Sequence, residues 1–504
     1  MNVALLIILL ALALAIYLGL VARRGRKMTL EQWSVGGRKF GTIFVFLLMA
    51  GEIYTTFTFL GGSGWAYGKG APAMYILCYG ALAYAMSYFL LPVIWRYAKA
   101  HGLVSQADFF ASKYRSPGLG IVVSLVSVAA IVPYLVLQLK GLGIIVSESS
   151  YGSISATAAV WIGTIAVVGY VVISGVRGSA WTAVLKDLMI LTVVVALGIY
   201  FPLHDYGGFR PMFEAIDRAK PGFLTLPATG MSTSWFISTV LLTALGFYMW
   251  PHTFASAYTA RDEDVFRKNA VLLPLYQLVL LFVFFIGFAA ILKVPGLTGT
   301  AADDSLLQLV KQSFPPWIVG VVGAAGLLTA LVPGSMLLMA AATILAKNVY
   351  AGLAPGTDER TVSTLAKALV PVIALVALYF TFRGGETLVA LLLMGYNMVT
   401  QLFPALLLSL GAQPLATRAG AYAGILAGEA TVAYLSLAGV TMATLFPSWP
   451  SVVTDLNVGI VALIVNVVVL FVVSALTRTT GAPATSPAGA PEESVLSLDQ
   501  QRAR

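Results

Sequence analysis

Apolar segments long enough to cross a lipid bilayer recur along the whole sequence, and this pattern constrains the fold more than any other feature. A helix needs about 20 mostly apolar residues to span the ~30 Å hydrocarbon core. Apolar residues make up 59% of the 504-residue chain and charged residues only 10%, which excludes a water-soluble domain. The runs do not alternate at period two, as β-barrel strands would. The sequence predicts an all-α polytopic membrane protein of thirteen spans, at residues 3–22, 41–68, 72–98, 119–147, 153–174, 178–201, 232–258, 270–293, 315–348, 362–382, 385–411, 420–438 and 455–476.

The span at 41–68 is interrupted in its middle. Gly51 and Glu52 lie at its centre, followed by hydroxyl side chains at Tyr54, Thr55 and Thr56. A carboxylate at mid-membrane costs about 3 kcal/mol or more unless it faces protein or water. Secondary transporters build substrate and ion sites from broken helices of this kind. The alternative interpretation is a kinked packing helix whose carboxylate is satisfied by another helix.

A second span, at 232–258, is interrupted by Gly246 and Pro251. Proline lacks a backbone N–H and breaks a helix. We expect His252 to hydrogen-bond the carbonyls that this break frees, with a role as proton relay as the alternative.

The interrupted spans also divide the chain into regions. Each opens a group of five spans, and an odd number of spans gives the two groups opposite orientations. This predicts an inverted repeat of five plus five helices, at about 41–201 and 232–411. The predicted regions are 1–40, a first peripheral helix and basic cytoplasmic loop; 41–411, a ten-helix transport core; 412–480, two peripheral helices; and 481–504, a disordered cytoplasmic tail.

Every second loop is rich in Lys and Arg, whereas the alternate loops at 148–152 and 439–454 contain neither. Basic loops stay on the cytoplasmic side. We therefore expect the N-terminus outside and the C-terminus in the cytoplasm, although the loop at 202–231 carries charges of both signs.

Several function classes have no support in the sequence. The single cysteine, Cys78, provides no disulfide framework, and the three histidines are far apart. No glycine-rich phosphate loop precedes a Lys-Ser/Thr pair, and no catalytic set of side chains is clustered, so neither ATP-driven transport nor an enzyme is expected. A nutrient sensor is the other class, but such sensors carry an appended soluble domain, whereas residues 481–504 form a short polar tail.

Four segments resemble the sodium:solute symporter family, which has the fold of the bacterial leucine transporter. They are WSVGGR (33–38), FLGGSGWAYGKG (59–70), GVRGSAWTAVLKD (175–187) and WPHTFASAYTARDEDVFRKNA (250–270). Within the family, GEIYTTFTF (51–59) and LQLKGLG (137–143) resemble bacterial monocarboxylate permeases, which carry lactate, pyruvate, propionate and sometimes alanine. The resemblance implies a leucine-transporter-like fold in a bacterial plasma membrane.

The resemblance also implies a sodium site, with its first two carbonyl ligands at Gly51 and Tyr54. A third carbonyl falls on Thr329, where Pro333 cannot donate and so leaves that oxygen free. The two family hydroxyl positions fall on Val332 and Pro333, which have none. The candidate cation site is therefore Gly51, Tyr54 and Thr329 for the metal, with Ser335 close by.

Lys186 stands where the family has a glutamine, and this departure leaves the coupling ion open between Na⁺ and H⁺. Glu52 or water is one source of the missing oxygen ligands for sodium. Alternatively, Lys186 takes the place of the cation and carries a proton, because burial lowers the pKa of a lysine. A purely structural ion pair with Asp187 or Glu52 is the third reading. No cofactor is expected.

These features predict a secondary active symporter that imports small monocarboxylates. A carboxylate held in the membrane needs donors, which exposed backbone amides at the two breaks and either Lys140 or Lys186 would supply; for Lys140 the alternative is snorkelling to an interface. The alternative substrates are an amino acid such as alanine or proline, or another organic acid, with proton coupling. The expected partners are the carboxylate and the bilayer, with no nucleic acid, for a monomer or loose homodimer. The candidate substrate-binding residues are Glu52, Tyr54, Thr55, Thr56, Gln138, Lys140, Lys186 and Tyr396.

Overall fold

The computed structural model describes residues 2–23 and 29–478, and this part of the chain is almost entirely helical. Across those two ranges the only strand-like pairing is an isolated parallel bridge between Phe40 and Ala260. The predicted tail at 481–504 and part of the first basic loop lie outside the described residues.

The described residues of the first half of the chain form nine α-helices. They are α1 (Val3–Arg23), α2 (Leu30–Val35), α3 (Thr42–Ile53), α4 (Ser63–Lys69), α5 (Tyr75–Ala100), α6 (Gln106–Lys113), α7 (Pro117–Ser149), α8 (Ala156–Tyr206) and α9 (Phe209–Ala219). A π-helical segment, Phe57–Gly62, joins the break after α3 to α4.

The second half begins with another pair of helices separated by a bend. Its helices are α10 (Thr233–Gly246), α11 (Pro251–Tyr258), α12 (Asp264–Gln277), α13 (Leu280–Lys293), α14 (Ser305–Ser313), α15 (Pro316–Ile344), α16 (Ala351–Leu353), α17 (Glu359–Arg383), α18 (Leu388–Val399), α19 (Phe403–Leu408), α20 (Arg418–Leu437), α21 (Met442–Leu445), α22 (Ser451–Thr454) and α23 (Val458–Thr477).

Nine helices of the described ranges are long and apolar enough to cross a membrane, or up to eleven if each of two bent pairs is one span. The 51-residue α8 contains two of the predicted spans, which meet at Gly175, where a φ of 61° interrupts the helix. Such a φ is easy for glycine and strained for other residues. The peripheral helix α20 is not among the eleven but coincides with the predicted span at 420–438. The all-α polytopic fold class is confirmed.

Both predicted interruptions are present. The axis of α3 and that of the helical segment 57–69 meet at 46°, and α10 meets α11 at 53°. Pro251 is the first residue of α11, a position where a missing N–H leaves no helical hydrogen bond unmade. The proline therefore starts the second half-helix after the bend.

The helix α15 lies at the centre of the bundle. Its most apolar stretch is 94% buried within the protein, compared with 22% for α1 and 33% for α23. It packs against α1, α7, α8 and α17. The two broken spans lie beside this central group, and α11 and α3 contact each other directly.

A close helix contact positions the segment after the first break. The side-chain-free surface of Gly287 in α13 meets the backbone of Ser63 at the start of α4, where an added Cβ would lie 2.2 Å from the Ser63 carbonyl oxygen. This approach requires glycine, because real Cβ atoms do not come so close to backbone.

We predict that Gly287→Val destabilises the protein by about 1–3 kcal/mol or more, because the helices must separate to admit the side chain. The measurement is the thermal unfolding midpoint of the purified protein in detergent. The matched control is Gly169→Val in α8, where nothing lies within 4 Å of an added Cβ. Equal midpoints for the two variants would contradict the packing described here.

Candidate substrate and cation site

The break after α3 frees backbone carbonyls inside the membrane region, and side chains from other segments satisfy them. The hydroxyl of Tyr134 in α7 donates to the carbonyl of Glu52 at 3.1 Å, and the hydroxyl of Thr58 donates to that of Ile53 at 2.8 Å. All four residues are buried. Because an unpaired carbonyl costs several kcal/mol in lipid, these donors help to hold the break in one conformation.

A third freed carbonyl accepts a hydrogen bond from a charged side chain. The ammonium of Lys186 donates to the carbonyl of Tyr54 at 3.2 Å and lies 2.9 Å from a carboxylate oxygen of Asp187. The Lys186 side chain is fully buried and that of Asp187 is 6% exposed. The second predicted ligand, Gly51, is adjacent, since a Cβ there would be 3.0 Å from the ammonium nitrogen. An internal cation thus lies against the two residues predicted to begin the sodium site.

Glu52 joins the two broken spans. One of its carboxylate oxygens lies 2.6 Å from Nε2 of His252 in α11, and the other accepts a hydrogen bond from the hydroxyl of Ser256 at 3.0 Å. The side chains of Glu52 and His252 are 5% and 1% exposed. The sequence placed Glu52 among the substrate ligands, and here it is a buried link between α3 and α11.

The expectation for His252 is wrong in one respect, because its ring contacts Glu52 and not the carbonyls before Pro251. The freed carbonyl of Met249 instead accepts a hydrogen bond from the amide of Gln106 at 2.6 Å. Nδ1 of His252 is buried without a hydrogen-bond partner.

Two of the predicted ligands after the break already use their side chains in hydrogen bonds within the protein. The hydroxyl of Tyr54 donates to the carbonyl of Tyr276 at 2.8 Å, and the two rings pack with centroids 4.7 Å apart. The hydroxyl oxygen of Thr55 accepts a hydrogen bond from the amide of Phe57 at 3.1 Å. Both side chains therefore shape the break in this conformation.

Thr56 brings the break together with α7. Its hydroxyl donates to Oε1 of Gln138 at 2.6 Å, and its methyl group fills the space beside Gly141, one turn further along α7. Gln138 is only 1% exposed, yet its Nε2 has no hydrogen-bond partner. The structure thus brings two predicted ligands into contact and leaves a buried donor beside them.

Packed aromatic rings run from one side of the membrane to the second break. Centroids are 5.8 Å apart from Trp65 to Tyr75, 5.9 Å from Tyr75 to Tyr79, 5.7 Å from Tyr79 to Tyr396, and 5.3 Å from Tyr396 to Trp250. Trp65 also borders an open cavity of about 540 Å³. It lies at the end of the bundle where Asp303, just before α14, contacts Gly64, and this end is called the Asp303 side. This row of rings, with the predicted ligand Tyr396 in it, extends from that cavity to the second break.

The remaining candidate cation ligands lie on α15. The hydroxyl of Thr329 donates to the carbonyl of Gly326, and that of Ser335 donates to the carbonyl of Val332 at 2.6 Å. Ser335 is also 2.8 Å from the hydroxyl oxygen of Ser179 in α8. Both hydroxyls are thus hydrogen-bonded within the protein.

Lys140 lies on the Asp303 side and is apart from the other candidates. Its ammonium donates to the carbonyl of Glu386, just before α18. The neighbouring Asp303 accepts a hydrogen bond from the amide of Leu388 at 3.0 Å, at the first residue of α18. Burial raises the pKa of the Asp303 carboxyl to about 7 and that of Asp304 to about 6. The titratable carboxyl of Asp303 therefore links the segment before α14 to the start of α18.

Sequence reasoning missed several residues of this site, namely Tyr134, Ser256, Trp250 and Asp303. Tyr134 lies four residues before Gln138, on the same face of α7, and this spacing is a signal that was available. Ser256 lies one turn after His252 on α11, and Trp250 is the residue just before that helix. Asp303 lies in a polar loop that carried no signal.

We predict that His252→Ala lowers stability by about 3–5 kcal/mol, because it leaves the buried Glu52 carboxylate with a single side-chain partner. Glu52→Gln should cost less, since the amide keeps its shape without the charge. The measurement is a double-mutant cycle of thermal unfolding that includes Glu52→Gln/His252→Ala. If the two single effects simply add, the pair is not coupled and this account of Glu52 fails.

We predict that stability falls as pH rises from about 4 to about 7, in part because of Asp303. Its folded-state pKa of about 7 lies above the unfolded value of about 3.9, so its contribution is full below the unfolded pKa and is lost as pH rises through the folded one. Unfolding midpoints across this range should fall less steeply for Asp303→Asn than for the wild type. The exposed Glu214 on α9 provides the control, since Glu214→Gln should leave the slope unchanged, and an Asp303→Asn profile parallel to the wild type would contradict the prediction.

Comparison with known proteins agrees with the family suggested by the motifs. The model of the sodium:solute symporter family matches residues 33–428. An uncharacterized symporter of Bacillus subtilis, YhjB, is 64% identical over 478 residues, which cover 95% of this chain and 98% of that protein. A monocarboxylate transport permease protein of Rhizobium johnstonii is 30% identical over 421 residues, or 81% of this chain and 84% of the relative.

Solved structures agree on the fold. The substrate-bound, outward-open structure of a Na⁺-coupled sialic acid symporter superposes with a TM-score of 0.77 at 14% identity, covering 96% of this chain and all of that one. MhsT in complex with L-phenylalanine has a TM-score of 0.53 at 14% identity, covering 85% and 98% of the two chains. At these identities the likeness concerns the fold alone. The match of the family model across most of the sequence, together with relatives at 64% and 30% identity, decides the assignment. The chain belongs to the sodium:solute symporter family.

Proposed function

We propose that this chain is a secondary active, cation-coupled symporter that imports small monocarboxylates such as lactate, pyruvate or propionate. Family membership supports symport in general, and the monocarboxylate permease relative supports the substrate class. In this proposal the side of the membrane that holds Arg261 is the cytoplasmic side of a bacterial plasma membrane, because its loops are rich in Lys and Arg. The N-terminus is then outside and the C-terminus inside.

The observation that carries the substrate class is the unpartnered amide nitrogen of Gln138. This donor is buried beside the first break, one helical turn from Tyr134. The ring of Trp250 packs against Tyr134 with centroids 5.1 Å apart, and its Nε1 also lacks a completed hydrogen bond. A carboxylate accepts hydrogen bonds only, so two buried donors around Tyr134 suit an anion.

Backbone amides contribute less than the sequence suggested. The amide of Thr55 donates to the carbonyl of Ile53, that of Thr58 donates to the carbonyl of Thr55, and that of Phe57 donates to the Thr55 hydroxyl. These three groups already have acceptors in this conformation. The proposal therefore assigns carboxylate recognition to the side chains of Gln138 and Trp250.

The two lysines have different roles in this proposal. Lys186 is engaged by the Tyr54 carbonyl and Asp187. Lys140, nearer the Asp303 side, is placed to attract an anion before it reaches the breaks.

The alternative substrate is an amino acid. A sodium/proline symporter of Haemophilus influenzae is 24% identical over 56% of this chain. An amino acid adds an ammonium group that needs an acceptor, and the buried carboxylates near the break belong to Asp187, which is paired with Lys186, and to Glu52. Both of its oxygens already have partners in His252 and Ser256, which favours a substrate with a carboxylate alone.

The test is uptake of radiolabelled pyruvate into proteoliposomes that contain the purified protein. Lactate and propionate should compete with pyruvate, because they offer the same carboxylate, whereas lactamide and glucose should not. Equal competition by lactamide, or stronger competition by proline or alanine, would reject the monocarboxylate assignment.

The same assay tests the donor directly. We predict that Gln138→Leu raises the half-saturating pyruvate concentration about ten- to a hundredfold, since a hydrogen bond to a charged group contributes roughly 1.5–3 kcal/mol. The matched control is Gln308→Leu in α14, whose amide pairs with Glu148 on the Asp303 side. A similar change in both variants would mean that Gln138 has no special role in binding.

A further inference from the structure

The ammonium of Lys186 occupies the place where the family resemblance puts the first half of a sodium site. It lies 3.2 Å from the Tyr54 carbonyl and against Gly51, the two predicted carbonyl positions. Lys186 projects from the second half of α8, which packs against α3. Its charge is balanced by the adjacent Asp187 at 2.9 Å.

The other side of the expected cage offers little to a metal ion. Val332 and Pro333 have no side-chain oxygen, and the hydroxyls of Thr329 and Ser335 both donate to carbonyls of α15 itself. The neutral oxygens that remain are these two hydroxyls and the backbone carbonyls, and the Tyr54 carbonyl already accepts from the lysine. The residues present therefore do not fit a sodium ion.

Charge repulsion adds to the shortage of ligands. A sodium ion at the Tyr54 carbonyl would lie within a few ångströms of the ammonium. Two like charges about 4 Å apart repel each other; Asp187 offsets part of this repulsion, but the ammonium already occupies the position beside the Tyr54 carbonyl.

We propose that Lys186 is a tethered cation that takes the place of sodium, so that this chain binds and carries its substrate without a sodium ion at the break. The ammonium donates a hydrogen bond to the freed Tyr54 carbonyl and so joins α8 to the broken span. Only the transport arm of the test below rests on the proposed monocarboxylate function.

The first arm measures the thermal unfolding of the purified protein in detergent as NaCl replaces choline chloride at constant ionic strength. An ion that binds the folded state raises the unfolding midpoint with a saturable dependence on concentration. We expect no sodium-specific shift in the wild type. We expect such a shift in Lys186→Ala, because the Asp187 carboxylate and the Tyr54 carbonyl then face a vacated space.

The control for this arm is Lys311→Ala, which removes the α14 lysine paired with Glu148 and should behave as the wild type does. A sodium-specific shift in the wild type overturns the proposal. A Lys186→Ala protein that shows no shift also overturns it, since the lysine would then not stand in for the ion. If Lys186→Ala does not fold, the wild-type titration alone still decides.

The second arm measures pyruvate uptake into proteoliposomes with sodium replaced by choline on both sides of the membrane. We expect rates that agree within about twofold, since no sodium ion has to bind. A loss of tenfold or more without sodium overturns the proposal. If pyruvate is not taken up in either medium, the proposed substrate class is wrong, and the unfolding arm still tests the lysine.

Discussion

The constraint on which the site depends is that no backbone carbonyl can be left unpaired in the membrane interior. The break after α3 frees the carbonyls of Glu52, Ile53 and Tyr54, and each receives a donor, from Tyr134, Thr58 and Lys186 respectively. Two of these donors come from α7 and α8. The break therefore requires that α7 and α8 pack beside it, because they carry two of the donors.

Sequence reasoning found what depends on local composition and missed what depends on distant pairing. The apolar segments and the two interruptions follow from residue type and spacing alone, and both interruptions are present. The contact between Glu52 and His252 joins residues 200 positions apart, and no local pattern encodes it. Thr56 and Gln138 were both candidate ligands from the sequence, but nothing in the sequence indicated that they contact each other.

Family membership and local chemistry give different information about this protein. The family model matches the chain from residue 33 to 428, and the fold follows that assignment. Around Tyr54, where the family resemblance places a cation site, Lys186 and Asp187 form a buried ion pair. The pair keeps a positive charge beside the break with no change in the net charge of the membrane interior, which limits the desolvation cost of both groups.

The row of aromatic rings from Trp65 to Trp250 makes the protein its own optical reporter. Trp65 borders the open cavity and is 5% exposed, and Trp250 is 2% exposed beside the second break. An opening that moves these rings apart changes the surroundings of both indoles. The fluorescence of the unlabelled chain, which has nine tryptophans, therefore includes one emitter beside the cavity and another beside the second break.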